Sequence, residues 1–294
     1  MHRDRVTVAQ NDSFMKQKLK PHSKIRLIIQ AFFAAFSNGY VKGLAHGKIF
    51  TGITKSICVP GMNCYSCPAA IASCPIGSLQ AVLSSHEFKF SLYVSGFIVI
   101  FGTLFGRLIC GFLCPFGLVQ DLLFKIPFIK KIRLLPAEKF LRKLRFVFLL
   151  IFVILLPAFA ADFTGLGEPW FCKWICPAGT LEGGIPLVLL NSLMRGAAGF
   201  IFKWKLAILI FTLIASIIVY RPFCRYVCPL GAIYGVFNKV SFYQFKIDSE
   251  KCSQCKACQK VCKLNIPVWQ NPNSIDCIRC GECKAICKTK AIPL

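Results

Sequence analysis

The chain has 294 residues, 55% of them hydrophobic and only 16% charged, with a mean hydropathy of +0.60 and a formal net charge of +24. An ordinary soluble enzyme carries about 25% charged residues, so these proportions exclude a conventional soluble globular protein. They also argue against a nucleic-acid binder, because Lys and Arg flanking apolar segments are the commoner source of such a bias.

A basic leader, residues 1–24, precedes the first apolar stretch, Ile25–Tyr40. At about 26 residues this leader is long for the n-region of a signal peptide, so the stretch reads as an anchor. A loop follows with Cys58, Cys64, Cys67 and Cys74, ending in the motif CPIGSLQ at 74–80. The second apolar stretch, Phe90–Leu108, leads into Cys110 and CPFGLVQ at 114–120. The third, Phe146–Phe163, is followed by Cys172 and CPAGTLE at 176–182. Ile185–Phe202 contains Pro186, Asn191 and Arg195 and reads as an interfacial helix rather than a span. The fourth, Leu206–Tyr220, precedes Cys224 and CPLGAIY at 228–234. Tyr40, Trp204 and Tyr220 stand at the ends of these stretches, where amphipathic rings prefer a membrane interface.

The expected fold is therefore an α-helical membrane protein, a four-span bundle over residues 25–240 followed by a ferredoxin-like domain over 246–294. With four spans, the segments 1–26, 107–145 and 221–294 share one side and hold 7, 9 and 12 Lys or Arg. Segments 41–89 and 162–205 hold four each. By the positive-inside rule this expectation places a multi-pass protein in a prokaryotic cytoplasmic membrane, with both termini cytoplasmic.

The tail carries two runs of Cys-x2-Cys-x2-Cys-x3-Cys, beginning at Cys252 and Cys277. This is the spacing of a [4Fe–4S] pair, in which the fourth Cys of each run ligates the other cluster. The expected sets are Cys252, Cys255, Cys258 and Cys287, and Cys277, Cys280, Cys283 and Cys262. Lys263 and Lys288 stand where Pro usually follows the fourth Cys. Zinc sites rarely use two interleaved four-Cys runs, and a chain this long and apolar is not a disulfide scaffold.

The CP repeats follow a consistent logic. Pro suits the first position of a helix, and a thiolate at a helix N-terminus is stabilised by the dipole. Cys110, Cys114, Cys224 and Cys228 form one expected four-thiolate site on the inner side. On the opposite side Cys172 and Cys176 need two partners. Ala70 stands where a complete repeat would have its first Cys, so Cys74 with Cys67 is the expected completion. Cys58 and Cys64 are left as substitute ligands, a disulfide, or a docking site for another redox group.

CGFLCP at 110–115, CRYVCP at 224–229 and the two-cluster tail together resemble the membrane polyferredoxins of periplasmic nitrate reductase systems. They are also similar to the membrane parts of nitrous-oxide reductase regulators and of cytochrome oxidase copper-site accessory proteins. The resemblance covers most of the chain beyond about residue 90 and implies electron transfer between a quinol or flavoprotein and a redox partner. The Cys-rich 58–80 loop and the pair at 172–177 depart from that pattern and suit a second membrane-domain cluster.

The expected function is transmembrane electron transfer through four [4Fe–4S] clusters, between redox partners on opposite faces. The alternative is a quinol dehydrogenase-type subunit working on one face. Partners would be a soluble ferredoxin or flavodoxin on the cytoplasmic side and a flavin or haem protein on the other. The tail, with nine Lys or Arg against four acids over 246–290, favours an acidic partner. No nucleophile–base pair or phosphate loop appears, so no organic substrate is expected. Of His2, His22, His46 and His86, the last two read as solvated groups near the outer face. Asp121, Glu168, Asp162 and Glu182 read as loop or interface charges.

Overall fold

The computed structural model describes residues 21–84, 92–127, 131–160, 167–196 and 198–292. Most of the expected 1–24 leader, together with His2, His86 and Asp162, lies outside the described residues. The described chain is helical. Its β contacts are two isolated bridges, Cys58 with Ser73 and Ile132 with Val219.

The expected four-span bundle is not found. Among the described residues one helix, Phe200–Ile218, is long and apolar enough to cross a membrane. Its 19 residues rise about 28 Å, close to the hydrocarbon thickness. The other apolar stretches fall short for local reasons. Pro21–Ser37 ends where the Ser37 hydroxyl and the Asn38 amide turn back onto the Phe33 and Ala34 carbonyls, and it buries Arg26 and Gln30.

Leu92–Phe105 has 14 residues, a rise of about 21 Å. It stops at Gly106, where φ is +55° and a Cβ would meet the Asn238 Oδ1 at 2.5 Å, so the chain turns at a position only glycine fits. The third stretch starts early, at Glu138, and loses regular α geometry. Glu138–Phe148 is α-helical, Leu149–Leu155 widens into a π segment, and Leu156–Phe159 closes it. Pro157 cannot donate to the residue four back, which favours such a widening. The Ile185–Phe202 segment is likewise split, into Ile185–Leu190 and Ser192–Gly196 with a break at Asn191, before Phe200 opens the long helix.

Two cores result. The larger gathers Ile76, Ile98, Ile109, Phe116, Val153, Phe171, Leu209 and Tyr234 around the CP repeats. The smaller lies in the tail around Phe245, Leu264, Ile266 and Ile278 and also takes in Tyr220. Polar side chains fasten one to the other. Asn238 Nδ2 donates to the carbonyls of Ser274 (2.9 Å) and Cys277 (2.8 Å), and its Oδ1 accepts from Arg107 N–H at 2.8 Å. Arg279 reaches back to the carbonyls of Phe105 and Asn238. Gly111 runs so close to the tail that a Cβ there would lie 2.5 Å from the Ile278 carbonyl oxygen.

Candidate metal centres

Each complete repeat builds the same device. The first Cys sits on a short helix, Leu108–Phe112, Trp170–Trp174 or Pro222–Tyr226. The second is the extended N-cap residue of a helix that begins with Pro: Cys114, Cys176 and Cys228. The glycine three residues on turns its amide to the capping sulfur. Gly179 N–H and Gly231 N–H donate to Cys176 Sγ and Cys228 Sγ, each at 3.4 Å. The Gly117 and Gly77 amides face Cys114 and Cys74 from the same position, without closing a hydrogen bond at Cys114.

The seventh residue of each repeat bonds outside its own repeat, Gln80 and Gln120 to a partner repeat and Glu182 and Tyr234 to the 58–64 segment, a pattern the spacing displayed but whose chemistry it did not reveal. Gln80 Nε2 donates to Cys172 Sγ at 3.2 Å, and Gln120 Nε2 donates to Cys224 Sγ at 3.1 Å. Glu182 Oε2 accepts from the Cys64 amide at 2.8 Å, and Tyr234 Oη donates to the Pro60 carbonyl at 3.2 Å. The first repeat thus pairs with the third and the second with the fourth.

This pairing gathers the sulfurs into two groups. Cys110, Cys114, Cys224 and Cys228 are all buried. Burial pushes the thiols of Cys114 and Cys228 up, and their neighbouring sulfurs, Cys224 and Cys110, push them further. In the second group Cys74, Cys172 and Cys176 come together with Cys64. A Cβ on Gly179 would stand 3.5 Å from Cys64 Sγ and 3.9 Å from Cys176 Sγ. Burial, followed by Cys74 and Cys64, raises the Cys172 thiol to about 12. Cys67 turns elsewhere, its Sγ 3.5 Å from Asn38 Oδ1. Cys58 Sγ lies beside the Ser73 and Ser78 hydroxyls at 3.7 and 3.6 Å. All eighteen cysteines are unbonded thiols, so Cys58 and Cys64 form no disulfide.

In the tail, Cys252, Cys255, Cys258 and Cys287 line one open pocket. Cys277, Cys280 and Cys283 surround Cys262, and burial with Cys280, Cys277 and Cys262 pushes the Cys283 thiol up. No three His, Cys, Asp or Glu side chains among the described residues close on a point as one bound ion requires. A cubane asks for something different, since each thiolate binds its own iron.

The charge around these sulfurs fits an anionic guest. Arg26, Arg107, Arg145, Arg221, Arg225 and Arg279 are all at most 3% exposed. Asp121 is also buried and takes Arg221 Nε and Nη2 at 2.8 and 2.6 Å and Arg26 Nη2 at 3.2 Å. Glu138 and Asp276 share Arg142, and they also meet Arg225 and Arg145 respectively. Three carboxylates do not balance the cations: Arg145 Nη1 and Nε find no hydrogen-bond acceptor. Burial and the nearby Arg107 push the Arg145 guanidinium down to about 10. Arg107 and Arg221 meanwhile aim at the backbone carbonyls of Cys224 and Cys110, at 3.0 and 2.5 Å. Uncompensated buried cations cost several kcal/mol each, and a thiolate-ligated cluster supplies the missing negative charge.

Of the expected loop or interface charges, Asp121 is buried and Glu182 half-buried. Asp121 anchors two arginines. Glu182 sits against Cys64, with its carboxyl pushed up to about 7 by burial. Glu168 pairs with Lys173.

A profile of the 4Fe-4S binding domain family matches residues 88–136, 145–185 and 204–249, one match on each complete CxxxCP pair. An uncharacterised protein of Methanocaldococcus jannaschii is 32% identical over 198 residues, 66% of this chain and 74% of that one. The ferredoxin-type protein NapH of Escherichia coli is 29% identical over 226 residues, 72% of this chain and 71% of its own. The methylamine utilization ferredoxin-type protein MauN of Methylorubrum extorquens is 25% identical over 158 residues, 53% of this chain and 47% of its own. No solved structure matches.

Proposed function

The chain belongs to the NapH-like polyferredoxin family and works by electron transfer through [4Fe–4S] clusters, and on that premise we propose that it holds four of them along a path across a membrane. The two tail clusters take Cys252, Cys255, Cys258 and Cys287, and Cys277, Cys280, Cys283 and Cys262. A third takes Cys110, Cys114, Cys224 and Cys228. The fourth takes Cys172, Cys176 and Cys74 with Cys64 rather than Cys67. Such clusters supply one-electron chemistry at potentials set by burial and by hydrogen bonds to their sulfurs.

One observation carries the directional part of this reading. The long apolar helix Phe200–Ile218 has one cysteine pair at each end. Near its start, Lys205 Nζ donates to the Cys172 carbonyl at 3.0 Å and Trp204 Nε1 to the Trp174 carbonyl at 3.1 Å. Just past its end come Cys224 and Cys228 and then the tail. The helix turns Phe211 and Ile214 outward, 73% and 54% exposed, as a lipid-facing surface would. The basic residues after Ile218 support a cytoplasmic position for the tail. Cys255 is exposed there, amid lysines that suit an acidic ferredoxin or flavodoxin. A flavin or haem protein, or a membrane quinone, serves the other end.

Iron and sulfide analysis of anaerobically purified protein tests the cluster count. The expected result is about 16 iron atoms per chain, from four clusters of four. About eight would confine the clusters to the tail, and about twelve would remove the centre at Cys172 and Cys176.

A further inference from the structure

The segment Cys58–Cys64, CVPGMNC, belongs to no repeat, yet it is buried between the two CP-repeat cysteine groups. Its start is held by Val59 N–H on the Ser73 carbonyl at 3.0 Å, and its end by Cys64 N–H on Glu182. Tyr234, fully buried, bonds the Pro60 carbonyl between these anchors and faces sulfurs of both groups, Cys110 and Cys74 among them. Gly61 lies against the inner repeat: a Cβ there would stand 2.7 Å from the Leu113 carbonyl oxygen and 3.1 Å from Cys114 Cα. The next two amides then part. Met62 N–H faces Cys114 of the inner group, and Asn63 N–H faces Cys74 of the outer group. Met62 also lays its thioether sulfur 3.4 Å from Cys228 Sγ. Met62 and Asn63 are 2% and 1% exposed, so this path is closed to bulk solvent.

We propose that Gly61–Asn63 is the link between the two centres: Gly61 and the Met62 thioether lie against Cys114 and Cys228 of the inner group, and the chain then runs through Asn63 directly into Cys64 of the outer group, so one short segment holds both sites and tunes them together. Met62 and Asn63 are positioning residues, acting through the sulfurs they face. The proposal rests on the reading that both groups hold clusters. Exchange of one electron between neighbouring centres balances without a proton or any co-reactant, which suits a dry segment with no titrating side chain. An N–H directed at a cluster sulfur favours the electron-richer state. Moving either amide away therefore shifts the division of electrons between the centres by up to about tenfold.

The test uses the full-length, cluster-loaded protein with iron content measured alongside. In the fully reduced protein, electron paramagnetic resonance should show the two centres magnetically coupled. That coupling should vanish in Cys176→Ser, leaving a simple inner signal. Two separate signals in the unaltered protein, each relaxing as it does alone, would overturn the proposal. An iron content of about eight or twelve with one signal missing would instead sink the four-cluster reading beneath it. Gly61→Ala, which pushes the segment off Cys114, should keep the iron yet slow equilibration between the centres about tenfold. Unchanged equilibration at full iron content would also overturn the proposal.

Discussion

Replacing Gln120 with Leu isolates one hydrogen bond to one sulfur. Gln120 is fully buried, its Nε2 lies 3.1 Å from Cys224 Sγ, and its Oε1 has no hydrogen-bond partner. Leucine has similar volume and removes an unsatisfied acceptor with the donor, so stability should change by no more than about 1 kcal/mol. The potential should respond more. A charge-assisted donor contributes about 1.5–3 kcal/mol, and only part of that differs between the oxidised and reduced states. Taking about 1.4 kcal/mol as that part gives about 59 mV for one electron. The donor favours the reduced, more negative state, so its loss lowers the inner centre's potential. A redox titration followed by electron paramagnetic resonance should show one signal moving down by up to about 60 mV while the tail signals stay in place. Gln80→Leu should do the same for the outer centre through Cys172, at greater cost in stability, because Gln80 Oε1 also accepts the Phe171 N–H at 2.9 Å. An unmoved inner potential in Gln120→Leu, or movement of a tail signal, would refute the reasoning.

Other outcomes follow from the same geometry. Cys64→Ser should remove about four irons and Cys67→Ser none, as counted by iron analysis; the reverse result would exchange their roles. Asp121→Asn strands Arg221 and Arg26 in the core and should cost about 3–5 kcal/mol, read as an early thermal unfolding transition. Cys262→Ser should disturb the signal of the cluster on Cys277, Cys280 and Cys283, while the one lined by Cys252, Cys255 and Cys258 persists.

The parts legible in the sequence are those fixed by covalent spacing. The interleaved tail runs and the CxxxCP pairs fix which sulfurs share a turn, and the proposed pairing of Cys110 and Cys114 with Cys224 and Cys228 follows from counting them. The companion of Cys172 and Cys176 does not. Whether Cys64 or Cys67 faces them depends on how the loop turns between Glu182 and Asn38, which are distant along the chain. Helix length escaped for a related reason. Apolar composition alone does not register the turn at Gly106, the π segment before Pro157, or the buried Arg145 that ties its helix to Asp276. Gln80 and Gln120 were visible as the last letter of a repeat, but a donor to a sulfur in another repeat appears only once the chain is folded.

The most direct test of the central claim is electron passage through the protein in sealed proteoliposomes with an acceptor trapped inside. The reductant is added on the side that exposes the tail. The account predicts that the trapped acceptor is reduced by the intact protein. It predicts that passage stops in Cys176→Ser, which still exchanges electrons with an acidic partner through its tail clusters. Undiminished passage in Cys176→Ser, or none in a protein carrying its full complement of iron, would contradict it.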